Sequence, residues 1–89
     1  MRFRWNTWNI GHIGTHQVDP TEAEAIVRRA RQPYPLWRPD EKWLVWGAGR
    51  GGRLLQVVFV IDEENAVYVI HARPLTLREK ARYRRRKRK

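Results

Sequence analysis

Leu54-Leu55-Gln56-Val57-Val58-Phe59-Val60-Ile61, then Asp62-Glu63-Glu64-Asn65, then Ala66-Val67-Tyr68-Val69-Ile70-His71-Ala72 is the stretch that decides the fold. The first segment is an apolar run rich in valine, interrupted only by Gln56, which favours a pleated, buried strand. Such a run belongs in the middle of a sheet, flanked by other strands. The acidic Asp62–Asn65 connection is short enough for an antiparallel hairpin, so Ala66 to Ala72 returns as its neighbour.

Upstream, Lys42 to Trp46 reads as a strand on the other side of the central one. The linking segment Gly47-Ala48-Gly49-Arg50-Gly51-Gly52 resembles a phosphate loop only in its glycines. A phosphate loop needs Gly-Lys-Ser/Thr running into a helix, whereas here Arg53 runs into a strand, so the segment is a turn. Pro39 and Asp40 mark another turn. Further back, Asp19 is an N-cap, Pro20 sits at the first helical position and Glu22 lies three residues after the cap. Ala23, Ile26, Val27 and Ala30 recur at helical spacing and face the core, and Pro33 and Pro35 end the helix. Asn6 caps a shorter helix through His16, with Trp8, Ile10 and Ile13 available for packing. Phe3 and Trp5 alternate with Arg2 and Arg4 as a short opening strand. Downstream, Thr76 and Glu79 form a capping box at the start of a helix that carries Arg78, Lys80, Arg82 and Tyr83 and frays into Arg84–Lys89. The order is strand, two helices, three antiparallel strands and a helix, an α+β fold with helices packed on a sheet.

The 89 residues hold a net charge of +10, with 19 Lys and Arg against 9 Asp and Glu. From Arg78 to Lys89 nine basic residues face one acid, so this segment carries +8. Arginine dominates, and its planar fork suits phosphate. An anionic polymer, RNA above all, is the expected partner. Arg78, Arg82, Arg84, Arg85, Arg86, Lys87, Arg88 and Lys89 are the expected nucleic-acid contacts; a solvated tail that aids solubility is the competing reading. Cysteine is absent, which excludes disulfides, thiolate catalysis and Cys-based zinc. No apolar run reaches the ~20 residues of a membrane span, and Met1-Arg2-Phe3-Arg4-Trp5 is no signal peptide. The expected setting is cytoplasmic, with no membrane partner. His12 and His16 are four apart, as zinc ligands can be. Ile13 replaces the glutamate of a zinc protease and no third ligand is evident, so neither metal nor other cofactor is expected.

Trp5-Asn6, Asn9-Ile10, Thr15-His16-Gln17-Val18 and Thr21-Glu22-Ala23-Glu24 resemble the opening of the BrnT family of bacterial toxins. Glu41-Lys42-Trp43-Leu44-Val45-Trp46-Gly47 and Gly52-Arg53-Leu54-Leu55-Gln56-Val57-Val58 resemble its central hairpin. Val69-Ile70-His71-Ala72-Arg73-Pro74-Leu75-Thr76, with Arg78-Glu79 and Tyr83, resembles its closing strand, Ala-Arg turn and helix. Gln17 stands where glycine is usual, and His71 where serine is common. The family is similar in fold to the RelE and ParE toxins. The resemblance therefore implies a RelE-like small antiparallel sheet with two N-terminal helices and a C-terminal helix. It implies one domain over residues 1–83 and a basic tail over 84–89. It further implies a ribonuclease toxin of a type II toxin–antitoxin system, silenced by a cognate antitoxin through which it can also meet operator DNA.

The residues suit that chemistry. Metal-free RNA cleavage uses the ribose 2′-OH as nucleophile. It needs a base for that proton, cations for the charge growing on phosphate and an acid for the leaving oxygen. His16 can serve as base or acid, with Glu41 as a partner base; Arg53 and Arg73 can clamp phosphate; Tyr83 can donate or stack on a base. Each has a structural competitor. Glu41 and Arg53 can be surface charges at strand ends, Arg73 can pair with Glu79, and Tyr83 can pack on the sheet. A non-catalytic RNA- or DNA-binding protein and a catalytically inactive RelE-like partner subunit are the alternatives to a toxin.

Overall fold

The computed structural model describes residues 1–87. The elements run β1 (Phe3–Arg4), α1 (Thr7–Gly14), α2 (Pro20–Arg28), β2 (Leu36–Arg38), β3 (Lys42–Ala48), β4 (Leu54–Ile61), β5 (Val67–Pro74) and α3 (Leu77–Lys87). The sheet has five strands in the order β1-β5-β4-β3-β2. The valine-rich β4 is central, antiparallel to β3 and β5. The expected α+β class holds, but the sheet is mixed, because β1 pairs with β5 in parallel at Val67 and Tyr68. β2 is an extra strand among the prolines, antiparallel to β3 over Lys42–Leu44.

Residues paired across strands share a face of the sheet. One face holds Val45, Val57 and Ala72 in one row and Phe59 and Val69 in another, all buried. It meets Ala23, Ile26 and Val27 of α2, and Ile13 of α1 joins the same cluster. At Gly47 a side chain would press on Ile26, its Cβ lying 3.2 Å from the Ile26 Cγ2. The opposite face is only half covered. Leu44, Val58, His71, Val60 and Tyr68 are each partly exposed there. Trp46 and Gln56 are buried, and the indole nitrogen donates to the Gln56 amide oxygen at 2.9 Å. Ile70 is an additional residue on β5, since Val58 pairs with His71 while Phe59 pairs with Val69. The resulting bulge sits beside the histidine, and bulges of this kind re-aim side chains.

Helix ends follow local chemistry, with three corrections. Asp19 caps α2 by accepting from the Glu22 amide at 2.9 Å, but the helix ends at Arg28, ahead of the prolines. Thr76 and Glu79 form the expected reciprocal capping box, and α3 runs helically through Lys87, past residue 84. α1 stops at Gly14 and turns its faces differently from the apolar pattern. Trp8 and Ile10 are 56% and 44% exposed, whereas Asn9 is fully buried. β1 covers only two residues of β5, so α1 meets the next part of that strand's edge. Asn9 satisfies it: its amide nitrogen donates to the carbonyls of Val69 and Arg4, both at 3.1 Å. Its amide oxygen accepts from the Asn6 backbone at 2.8 Å, closing a capping box.

Asn9→Ala removes these bonds and strands buried carbonyls. It should cost about 2–4 kcal/mol, each unsatisfied buried group being worth about 1–3 kcal/mol. Urea unfolding measures this, and Trp8→Ala, at a side chain 56% exposed, should cost less.

Candidate functional site

Trp8, His12 and His16 are spaced four apart, which puts them on one side of α1 and its C-terminal turn. That side faces β5. Trp8 stacks on His12, with ring centres 4.9 Å apart, and lies 6.4 Å from Tyr68. His12 and His16 each lie 6.0 Å from His71, centre to centre. His71 is half-buried and the other two are exposed, so the cluster opens to solvent on the uncovered face. Burial lowers the His71 pKa below its ordinary 6.5, helped by the positive charge of Arg73 and by His12 and His16. A neutral imidazole is the form that accepts a proton. Among the described residues no group of three or more His, Cys, Asp or Glu is arranged to hold a metal ion.

The remaining residues expected at this site are placed differently. Glu41 sits in the tight turn between β2 and β3, with φ of 62°. β3 and β4 are antiparallel, with Trp43 opposite Phe59 and Ala48 opposite Leu54. Glu41 therefore lies at the far end of the hairpin from Arg53, roughly 25 Å away at about 3.3 Å per residue. It borders Trp37, Trp43, Val60 and Ile61 and cannot act with His16.

Arg53 does lie beside His16, but as a brace. Its guanidinium donates to the carbonyls of His16, at 3.3 Å, and Gln17, and to Glu22 at 3.2 Å. Glu22 is buried in the first turn of α2 and also accepts from the Arg50 backbone at 2.7 Å. Gly49 makes room for that carboxylate, which a Cβ there would strike. Gln17, with φ of 57°, turns the chain between α1 and α2. Arg53 is thus a positioning residue for the end of α1.

Arg73 is held by Glu79. Two parallel bonds of 2.8 and 2.9 Å join the guanidinium to the carboxylate, and a third, at 3.0 Å, reaches the Pro74 carbonyl. This ion pair is the structural competitor to a phosphate clamp, and it fastens the end of β5 to the start of α3. The guanidinium holds the Glu79 carboxyl at about 2, against an ordinary 4.5, with the Thr76 amide and hydroxyl assisting.

Tyr83 packs over the sheet, 6.4 Å from Trp46 and 6.2 Å from Tyr34 between ring centres. Arg82 and Arg86 lie over Trp46, at 5.4 and 5.9 Å from the ring centre. Arg78, Arg84 and Arg85 are exposed on α3, and Lys87 is its last residue. Arg88 and Lys89 lie outside the described residues. No helix among the described residues is long and apolar enough to cross a membrane.

The fold therefore joins His16 to His12 and His71, and leaves Glu41 apart. His71 was marked in the sequence only as a departure from serine; its proximity is tertiary, and no local pattern reports it. The i, i+4 spacing of Trp8, His12 and His16 was the available signal for the rest. Compared with family models, curated proteins and solved structures, the chain finds no match.

The Arg73–Glu79 geometry has a measurable consequence. Arg73→Ala and Glu79→Ala should each destabilise by about 2–3 kcal/mol, as for charge-assisted hydrogen bonds, and the double variant should be little worse than either. Because the folded-state pKa of Glu79 is depressed, its contribution is complete above pH 4.5 and is lost as pH falls through about 2. Urea unfolding across this range should show wild type and Glu79→Ala converging toward the acid end.

Proposed function

We propose that this protein is a ribonuclease toxin with a RelE-like fold, similar to the BrnT family and silenced by a cognate antitoxin, that cuts RNA without a metal. The observation that carries the chemistry is the convergence of His12, His16 and His71 on the open face. In this reading His71, kept neutral by burial, takes the proton of a ribose 2′-OH. The oxygen attacks the adjacent phosphorus and the 5′-oxygen of the next nucleotide leaves. His12 or His16, in its protonated form, delivers a proton to that oxygen. The nucleophile belongs to the substrate, so no serine, cysteine or metal is called for. Arg53 positions the His16 end of the cluster, and the Arg73–Glu79 pair positions its β5 end.

The order of elements supports the RelE-like reading: an opening strand, two helices, a sheet and a basic closing helix. The net charge of +10 supports RNA as substrate and an acidic antitoxin as the partner that covers the basic surface. One observation favours a second reading, a non-catalytic RNA-binding protein. Both arginines expected to clamp phosphate, Arg53 and Arg73, spend their forks on internal partners.

Induced expression, with and without the antitoxin gene, and RNA cleavage by the purified protein in a chelator separate the two readings. His71→Ala should lower the cleavage rate by about 10²–10⁴-fold, the range for a general base, with an unchanged melting temperature. The acid limb of the rate profile should fall below pH 6.5, because His71 must lose its proton to act and its pKa is lowered. A folded His71→Ala protein that cuts RNA at the wild-type rate contradicts the proposal.

A further inference from the structure

β2 pairs only with Lys42–Leu44, so the later part of β3 has no strand on its outer side. A groove of about 630 Å³ lies there. Trp46 and Ala48 form its floor. Arg29, Arg31, Tyr34, Tyr83 and Arg86 line it as well. The three aromatic rings are mutually close, with Tyr34 6.1 Å from Trp46 and 6.2 Å from Tyr83 between centres. Arg86 donates to the Tyr34 hydroxyl at 3.2 Å.

The charge of this groove is uncompensated. Among the described residues no acidic side chain lines it. Among the described residues Arg4, Arg28, Lys42, Arg50, Arg53 and Arg73 pair with carboxylates. Arg29, Arg31 and Arg86 are in none of these pairs, and all three are exposed. Aromatic faces offer stacking to any base, and adjacent guanidinium groups offer phosphate contacts. The volume falls in the range of about 300–1,000 Å³ typical of small-ligand sites, which suits a nucleotide better than a helix of another protein.

We infer that this groove holds a nucleotide of single-stranded RNA, its base against the partly exposed ring of Tyr83, which Tyr34 and Trp46 back from beneath, and its phosphates toward Arg29 and Arg31. The inference rests on the reading of the protein as one that acts on RNA. The groove borders the same open face as the histidines: Trp46, Gln56 and Arg73 are cross-strand partners, and His71 is two residues along β5 from Arg73. A strand lying across that face from one to the other would be gripped on one side and cut on the other.

The probe is a fluorescein-labelled oligouridylate with 2′-O-methyl groups, which lacks the nucleophile and reports binding without cleavage. Anisotropy titrations over a range of salt should show Arg29→Ala/Arg31→Ala binding more weakly, with the salt slope reduced by about 1.4, or about 0.7 per phosphate contact in single strands. Tyr83→Leu should weaken binding about tenfold, and Tyr83→Phe, which keeps the ring, should restore it to within about twofold. Melting curves confirm that each variant is folded. Wild-type affinity and slope in both the arginine pair and Tyr83→Leu would overturn the inference. So would tighter binding of a labelled polyglutamate peptide that the same variants abolish, since the groove would then belong to an acidic protein segment. Unmethylated RNA separates the two proposals: cleavage intact with groove-independent binding sinks the groove alone, and groove-dependent binding without cleavage sinks the ribonuclease reading alone.

Discussion

The pairing of Glu22 with Arg53 is the contact on which the rest of the site depends. A carboxylate with 3% of its side chain exposed sits in the first turn of α2. Left alone it would carry a heavy desolvation cost, so it must be met by donors. Arg53 and the Arg50 backbone meet it, and this fastens the turn between β3 and β4 to α2. The same guanidinium reaches the carbonyls of His16 and Gln17, so the end of α1 is fastened too. At the other side of the cluster the Arg73–Glu79 pair fixes the end of β5 two residues past His71. The imidazoles are thus carried on a helix and a strand whose ends are both braced. Precise placement of this kind is what acid–base chemistry requires of its supports.

The central hairpin was legible in the sequence because its signals are local: an eight-residue run apolar but for Gln56, an acidic turn and a second β-rich run. The caps at Asp19 and at Thr76–Glu79 were legible for the same reason. Strands of two and three residues, β1 and β2, are too short to show periodicity, and β1's parallel pairing comes only from the return of the chain. α1 misled the apolar pattern because it runs beside a strand edge with a free carbonyl. There a buried asparagine bonds what an isoleucine could not, and Trp8 is left outside for the histidines. Among the candidate site residues, His12 and His16 announced themselves by helical spacing, while His71 could be found only in three dimensions. Glu41 was misplaced although the antiparallel β3–β4 pairing, itself legible, already sets the residue before β3 at the opposite end of the hairpin from Arg53. The resemblance to the BrnT family pointed to Arg53 and Arg73; the structure gives both of them internal acids.

The distribution of charge follows from those same pairs. Most of the acidic residues are paired within the chain, with Arg4, Arg53 and Arg73 among others. What remains is basic and lies along α3 and the segment after α2. That excess disfavours self-association and favours long-range attraction of polyanions. In the proposed function, binding and chemistry would fall to different parts: guanidinium and aromatic groups around Trp46, and imidazoles around β5.

If RNA is cut by its own 2′-hydroxyl under histidine acid–base control, as proposed, the ends of the products report it directly. Purified protein should be incubated with single-stranded RNA in the presence of a chelator and the fragments analysed by mass. The upstream fragment should end in a 2′,3′-cyclic phosphate and the downstream one should begin with a 5′-hydroxyl. Fragments ending in 3′-hydroxyl and 5′-phosphate, the products of attack by water, would contradict the proposal, as would intact RNA.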